Sequence, residues 1–127
     1  MIRPGVIALL PALLAMAAFS GEDDYSAAYR DCIAQAAATS LASECLEKEY
    51  QLQARQLETT LRQALETLGD EGAPELLRVQ KLWEAYRDAK CRFLHRPRTG
   101  SGGLLDMQQC LIDETIRRRN ELEATCC

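Results

Sequence analysis

Six cysteines set the chemistry available to this chain of 127 residues, against a single histidine and a single tryptophan. Thiols in that number point to disulfides or thiol exchange. They do not point to zinc: a zinc site draws about four Cys, His or carboxylate ligands together, and here His95 has no second histidine and no Cys-x2-Cys pair exists. No Ser-His-Asp set can be assembled with a rationale, and no Gly-rich phosphate loop follows a strand. The Asp and Glu residues are numerous, but on helix surfaces their simplest role is solubility. We therefore expect no metal, no cofactor and no catalytic residue, and a binding or structural protein rather than an enzyme.

The densest cluster of distinctive side chains runs from Gln80 to Cys91. Gln80, Trp83, Arg87 and Cys91 step by three, four and four, so they share one helical face. Trp83 with Arg87 has the composition of an interface hot spot; a shared face with Leu76 points instead to a core tryptophan and to an Arg87 paired with a carboxylate from another helix. A second set, Cys110, Thr115, Arg118 and Leu122, follows at similar spacing. Arg118 lies on an apolar stripe, where an unpartnered charge is too costly to keep. A third group is cationic: Arg92, His95, Arg96 and Arg98 fall in a Gly-rich stretch, 92–103, that holds no acidic residue. Its simplest reading is a solvated loop, and its sharper one is a probe for a carboxylate-bearing cleft.

The elements that must position these residues read as helices throughout. A short helix is expected over Tyr25–Ala38, behind a frayed acidic segment, 21–24. The next begins near Ser40 or Ser43, either of which suits an N-cap. It carries Tyr50, Ala54, Leu57, Leu61, Ala64 and Leu68 at heptad-like spacing. Gly69-Asp70-Glu71-Gly72 ends it, with Gly69 suited to a positive φ, and Pro74 opens the third helix. That helix is lined by Leu76, Val79, Trp83, Tyr86 and Phe93. The last runs from about Leu104 to Ala124 on the stripe Leu111, Thr115, Arg118, Leu122. No strand-like alternation is present, and the fold class is all-α: a small antiparallel three-to-four-helix arrangement stapled by disulfides.

In that arrangement Cys45, Cys91 and Cys110 fall at one end, while Cys126 and Cys127 lie roughly 25 Å further along the last helix. A disulfide needs Cα atoms within about 7 Å, so the preferred pairs are Cys32–Cys45 and Cys91–Cys110. Cys126 and Cys127 are left to join each other, to link two chains as a homodimer, or to remain free thiols with a redox role.

The chain opens with a basic start at Arg3, an apolar run from Val6 to Met16, and the A-x-A pattern Ala15-Met16-Ala17. This reads as a signal peptide over 1–17 and a single domain over 18–127. The apolar run is shorter than the roughly 20 residues that cross a membrane, and no cysteine at the cleavage position invites a lipid anchor. The expected location is periplasmic or secreted, a setting in which six cysteines oxidise. A net charge of −4 argues against nucleic acid or an anionic membrane as the main partner.

The order Cys45, Gln80-x2-Trp83-x3-Arg87-Asp88-x2-Cys91, a Gly-rich loop, then Cys110-x4-Thr115-x2-Arg118-x3-Leu122 resembles the LprI-like lysozyme-inhibitor family. The resemblance covers about Cys32 to Leu122. The second helix departs from the family pattern: Leu57-Glu58 and Leu61 stand where a Leu-Asn pair and a tyrosine are usual. The resemblance implies a small exported helical protein of the bacterial envelope that binds and inhibits lysozyme. A structural or assembly protein of the envelope, with no lysozyme contact, is the alternative.

Overall fold

The computed structural model describes residues 24–95 and 101–126. Three helices hold nearly all of them: α1 (Ala27–Gln35), α2 (Thr39–His95) and α3 (Ser101–Cys126). No strand occurs among the described residues. The expected signal segment, 1–17, lies outside them.

The start of α1 is fixed by Ser26, whose hydroxyl accepts the Tyr29 N–H at 3.0 Å. Such a cap satisfies one of the donors that a helix start leaves unpaired. The same residue is anchored to α2, since its own N–H donates to Glu49 at 2.9 Å. The helix stops at Gln35, before the expected Ala38, because Ala36 is extended. Asp24 is not frayed: its carbonyl accepts from Gln53 Nε2 at 3.0 Å, and its carboxylate meets Asn120. Neither Ser40 nor Ser43 caps α2, which begins earlier, at Thr39. Ser43 instead donates to Gln108 of α3 at 2.9 Å.

The long helix α2 is two arms broken at one residue. Gly69 has φ 62° and ψ −164°, a region open in practice only to glycine. The direction of each arm follows from its partners on α3. Along the first arm, Ser43 meets Gln108, Gln53 meets Arg119 and Thr60 meets Glu123. Along the second, Gln80 meets Arg118, Lys90 meets Glu114 and Cys91 meets Cys110. The first order rises with α3 and the second falls, so the arms run antiparallel and Gly69 reverses the chain. The expected four-residue stop at 69–72 is thus a one-residue turn. Gly72 is already helical, and Pro74 sits inside the second arm, about a turn after its start. The backbone bond that Pro74 cannot make would have gone to Asp70, at the beginning of that arm.

Two disulfides fasten the opposite end. Cys32–Cys45 ties α1 to α2 with Cα atoms 5.8 Å apart, and Cys91–Cys110 ties the second arm to α3 at 5.5 Å. Each closes a loop whose restriction of the unfolded chain is worth about 3 kcal/mol.

The apolar core is small. Leu46, Ile112 and Ile116 form its centre, joined by Tyr25, Tyr29, Tyr50 and Leu105. Each central side chain contributes roughly 1.5–3 kcal/mol by burial. The inward stripe of the first arm reads Leu46, Glu49, Gln53, Leu57, Thr60, Ala64, all buried. Three of these six are polar, and Glu49 and Glu114 correct the expectation that carboxylates only coat the surface. Leu68, Val79, Tyr86 and Phe93, expected to line their helices, are exposed.

Replacing Gly69 with alanine forces a side chain into that backbone conformation. It should lower stability by about 1–3 kcal/mol, read as a shifted urea midpoint; an unchanged midpoint would show that the turn tolerates a Cβ.

Candidate functional site

The side chains singled out between Gln80 and Leu122 come together between the second arm of α2 and α3. Arg118, only 6% exposed, donates from Nε to Gln80 Oε1 at 3.0 Å and from Nη1 to Glu121 at 2.9 Å. Its guanidinium lies 5.9 Å from the centre of the Trp83 ring, and its Nη2 meets no acceptor among the described residues. Arg87 lies 5.0 Å from the same ring, so the half-buried tryptophan attracts two guanidiniums through its π-system. The partner of Arg87 is Asp88, the next residue along, at 2.8 Å; the carboxylate expected from another helix is not used. Thr115, fully buried, returns its hydroxyl to the Leu111 carbonyl at 2.7 Å, and Leu122 is buried one turn beyond Arg118. Of these contacts, those of Arg118 with Gln80 and Trp83 cross from helix to helix, while the Arg87–Asp88 and Thr115–Leu111 bonds stay within one helix. None of these residues presents a free reactive group to solvent.

The polar core continues on both sides of this contact. Lys90 reaches Glu114 at 2.7 Å, and Arg117 joins the same carboxylate. The pairing, with a hydrogen bond as its main part, holds the Lys90 ammonium above its ordinary range. Arg119 of α3 crosses to Gln53 at 2.7 Å and to Gln56. Tyr25 donates to Asp113 and accepts from Gln109. Burial first, and the hydrogen bond to the Asp113 carboxylate second, push the Tyr25 phenol far above the usual tyrosine range. Burial raises Tyr29 as well. The sequence pattern missed Glu49, Gln53 and Glu114; their only signal was position, since each falls at three- or four-residue steps from buried apolar neighbours.

The cationic group is divided by the structure. Arg92 and His95 belong to the last turn of α2, not to a loop, because that helix continues to His95 and α3 begins at Ser101. Arg96 and Arg98 lie outside the described residues. Arg92 is exposed and His95 half-buried. A separate polar cleft between the first arm and α3 is lined by Arg55, Thr59, Arg119, Asn120 and Glu123, where charges of both signs offset one another. No group of three or more His, Cys, Asp or Glu that could hold a metal ion is found among the described residues. Cys126 ends α3; Cys127 lies outside the described residues.

The fold and its contacts define a class: a small all-α domain, stapled at one end by two disulfides and joined across its helices by buried polar pairs. Within that class the chain belongs to a family, since residues 24–122 match the one described as lysozyme inhibitor LprI. The match begins at Asp24, earlier than the motif alone suggested, and so includes the N-terminal anchor and α1. No curated protein and no solved structure matches the chain. Among the described residues, no helix is long and apolar enough to cross a membrane.

Two measurements follow from these contacts. Arg118→Leu removes the donor held by the buried Gln80 and should cost about 1–3 kcal/mol, lowering the melting temperature by several degrees with little change in any binding constant. The reverse ranking would place Arg118 in a binding surface. Stability should also fall in alkali. As pH passes the ordinary tyrosine value of about 10, the unfolded chain releases its phenol protons while folded Tyr25 keeps its own, so unfolding gains. Lys90 acts in the same sense, because its folded charge is favoured and is lost only at higher pH. Urea midpoints at about pH 8 and about pH 11 should differ, and Tyr25→Phe should reduce the difference; equal slopes for both proteins would exclude Tyr25 as a source.

Proposed function

We propose that this protein is an exported inhibitor that binds lysozyme and occludes its cleft without reacting with it. The observation that carries this reading is the family match over residues 24–122. The physical chemistry of the molecule supports it. Two staples and a hydrogen-bonded core hold the domain in one shape, which limits the ordering cost of binding. Its charge of −4 attracts a basic protein at long range. Near the end of α2 the charge reverses locally, with Arg92 and His95 followed by Arg96 and Arg98 in sequence. Glycosidases of the lysozyme kind cleave with two carboxyl groups in a cleft, and guanidiniums pair with carboxylates through strong charge-assisted bonds. The segment 1–17 serves as the export signal in this reading, and the working location is the periplasm or the exterior.

The test is lysis of a peptidoglycan suspension by lysozyme with increasing amounts of the oxidised protein. Dose-dependent inhibition that is lost on reduction supports a stapled inhibitor. Arg96→Glu combined with Arg98→Glu should abolish it without unfolding the protein. No inhibition at micromolar excess by a well-folded sample would favour the envelope-structural alternative.

A further inference from the structure

The second arm of α2 has two faces with different fates. Gln80, Trp83, Arg87 and Cys91 look toward α3. On the other side, Val79, Leu82, Tyr86, Ala89 and Phe93 step by three, four, three and four, the spacing of a coiled-coil seam. Among the described residues this seam is left largely open: Val79 is 39% exposed, Leu82 62%, Tyr86 57% and Phe93 66%. Apolar residues scattered over a surface need no explanation, but a contiguous row of them marks a contact. Lys81 and Arg92 are exposed on one flank of the row, with Glu84 exposed and Asp88 half-buried beside them. On the other flank the Lys90 ammonium lies 5.8 Å from the centre of the Tyr86 ring.

We infer that this seam is the wedge by which the protein enters a lysozyme cleft, with the apolar row against the cleft wall and Lys81 and Arg92 facing its carboxylates. The inference rests on the inhibitor reading and assigns the surface that performs it. Area and shape select the occupant. The row spans about 20 Å of one helix, and its five side chains fall well short of the roughly 800 Å² per partner of a standard interface. A concave partner escapes that limit, since it wraps a convex helix on three sides and so reaches the flanks as well. A lysozyme cleft is concave and carries two carboxyl groups, one of them set in an apolar pocket. Tyr86 and Phe93, rigid and largely uncovered, would form the centre of the contact.

The experiment compares inhibition of a purified lysozyme by the full oxidised protein and three variants, each checked for an unchanged helical spectrum and melting point. Leu82→Asp with Tyr86→Asp should weaken inhibition at least about tenfold. Lys81→Glu, a surface charge reversal that leaves the apolar row intact, should weaken it several-fold and reduce its sensitivity to salt. Leu41→Asp, also exposed but off the row, should leave it unchanged. A soluble N-acetylglucosamine oligomer should compete with the wild-type protein for the enzyme. Full inhibition by the Leu82/Tyr86 variant, or by Lys81→Glu, or an absence of competition by the oligomer, would overturn the wedge while the inhibitor reading stands. A wild-type protein that fails to inhibit would overturn both.

Discussion

Every charge that α3 turns inward has to be met by a side chain from elsewhere or by a neighbour on its own helix, and the placement of the other elements follows from that requirement. Glu114 is met by Lys90 of the second arm, and Arg118 by Gln80 of the same arm. Arg119 is met by Gln53 of the first arm, and Asp113 by Tyr25 ahead of α1. One helix thus distributes its polar contacts over three separate pieces of chain. A buried group left without its partner costs more than the bond itself returns, so a slip of any of these pieces along α3 is penalised. The apolar centre of Leu46, Ile112 and Ile116 supplies non-directional attraction; the polar pairs decide the register.

Much of this was legible from residue spacing. The faces carrying Gln80, Trp83, Arg87 and Cys91, and Thr115, Arg118 and Leu122, are inward as their three- and four-residue steps require. The two disulfides follow from helix lengths and from where each cysteine falls along them. Periodicity reports which residues share a face, however, and not whether a neighbour lies against it. Val79, Tyr86 and Phe93 recur as regularly as any core stripe, yet α3 packs on the opposite side of their helix. Composition misled in the reverse direction at Glu49 and Glu114, because a carboxylate is buried only when donors such as Ser26, Gln53 and Lys90 converge on it, and those come from distant parts of the chain. The end of α2 was also placed too early. The Gly-rich stretch 92–103 reads as a loop, whereas Arg92 and His95 complete the last helical turn.

The division of labour within the second arm has a functional side. Its inner face is held by a disulfide, a buried arginine and a tryptophan, so its outer face is presented without freedom to rearrange. A binding helix that is already ordered loses little entropy on docking. The staple at Cys91 stands two residues from Phe93, the most exposed aromatic side chain among the described residues.

The one-residue reversal at Gly69 also bears on how many chains make a domain. No connecting loop separates the arms, so the hairpin and a single unbroken rod differ mainly in the φ and ψ of that residue. A side chain at position 69 penalises the hairpin and not the rod. In the rod the second arm keeps its own α3 through Cys91–Cys110, and the α3 face that would fit the first arm belongs to another copy: short strained hinges favour this exchange of identical elements between protomers. A side chain at position 69 would thus bear on the choice between a closed monomer and a swapped pair with the same contacts apart from the hinge, and not on stability alone.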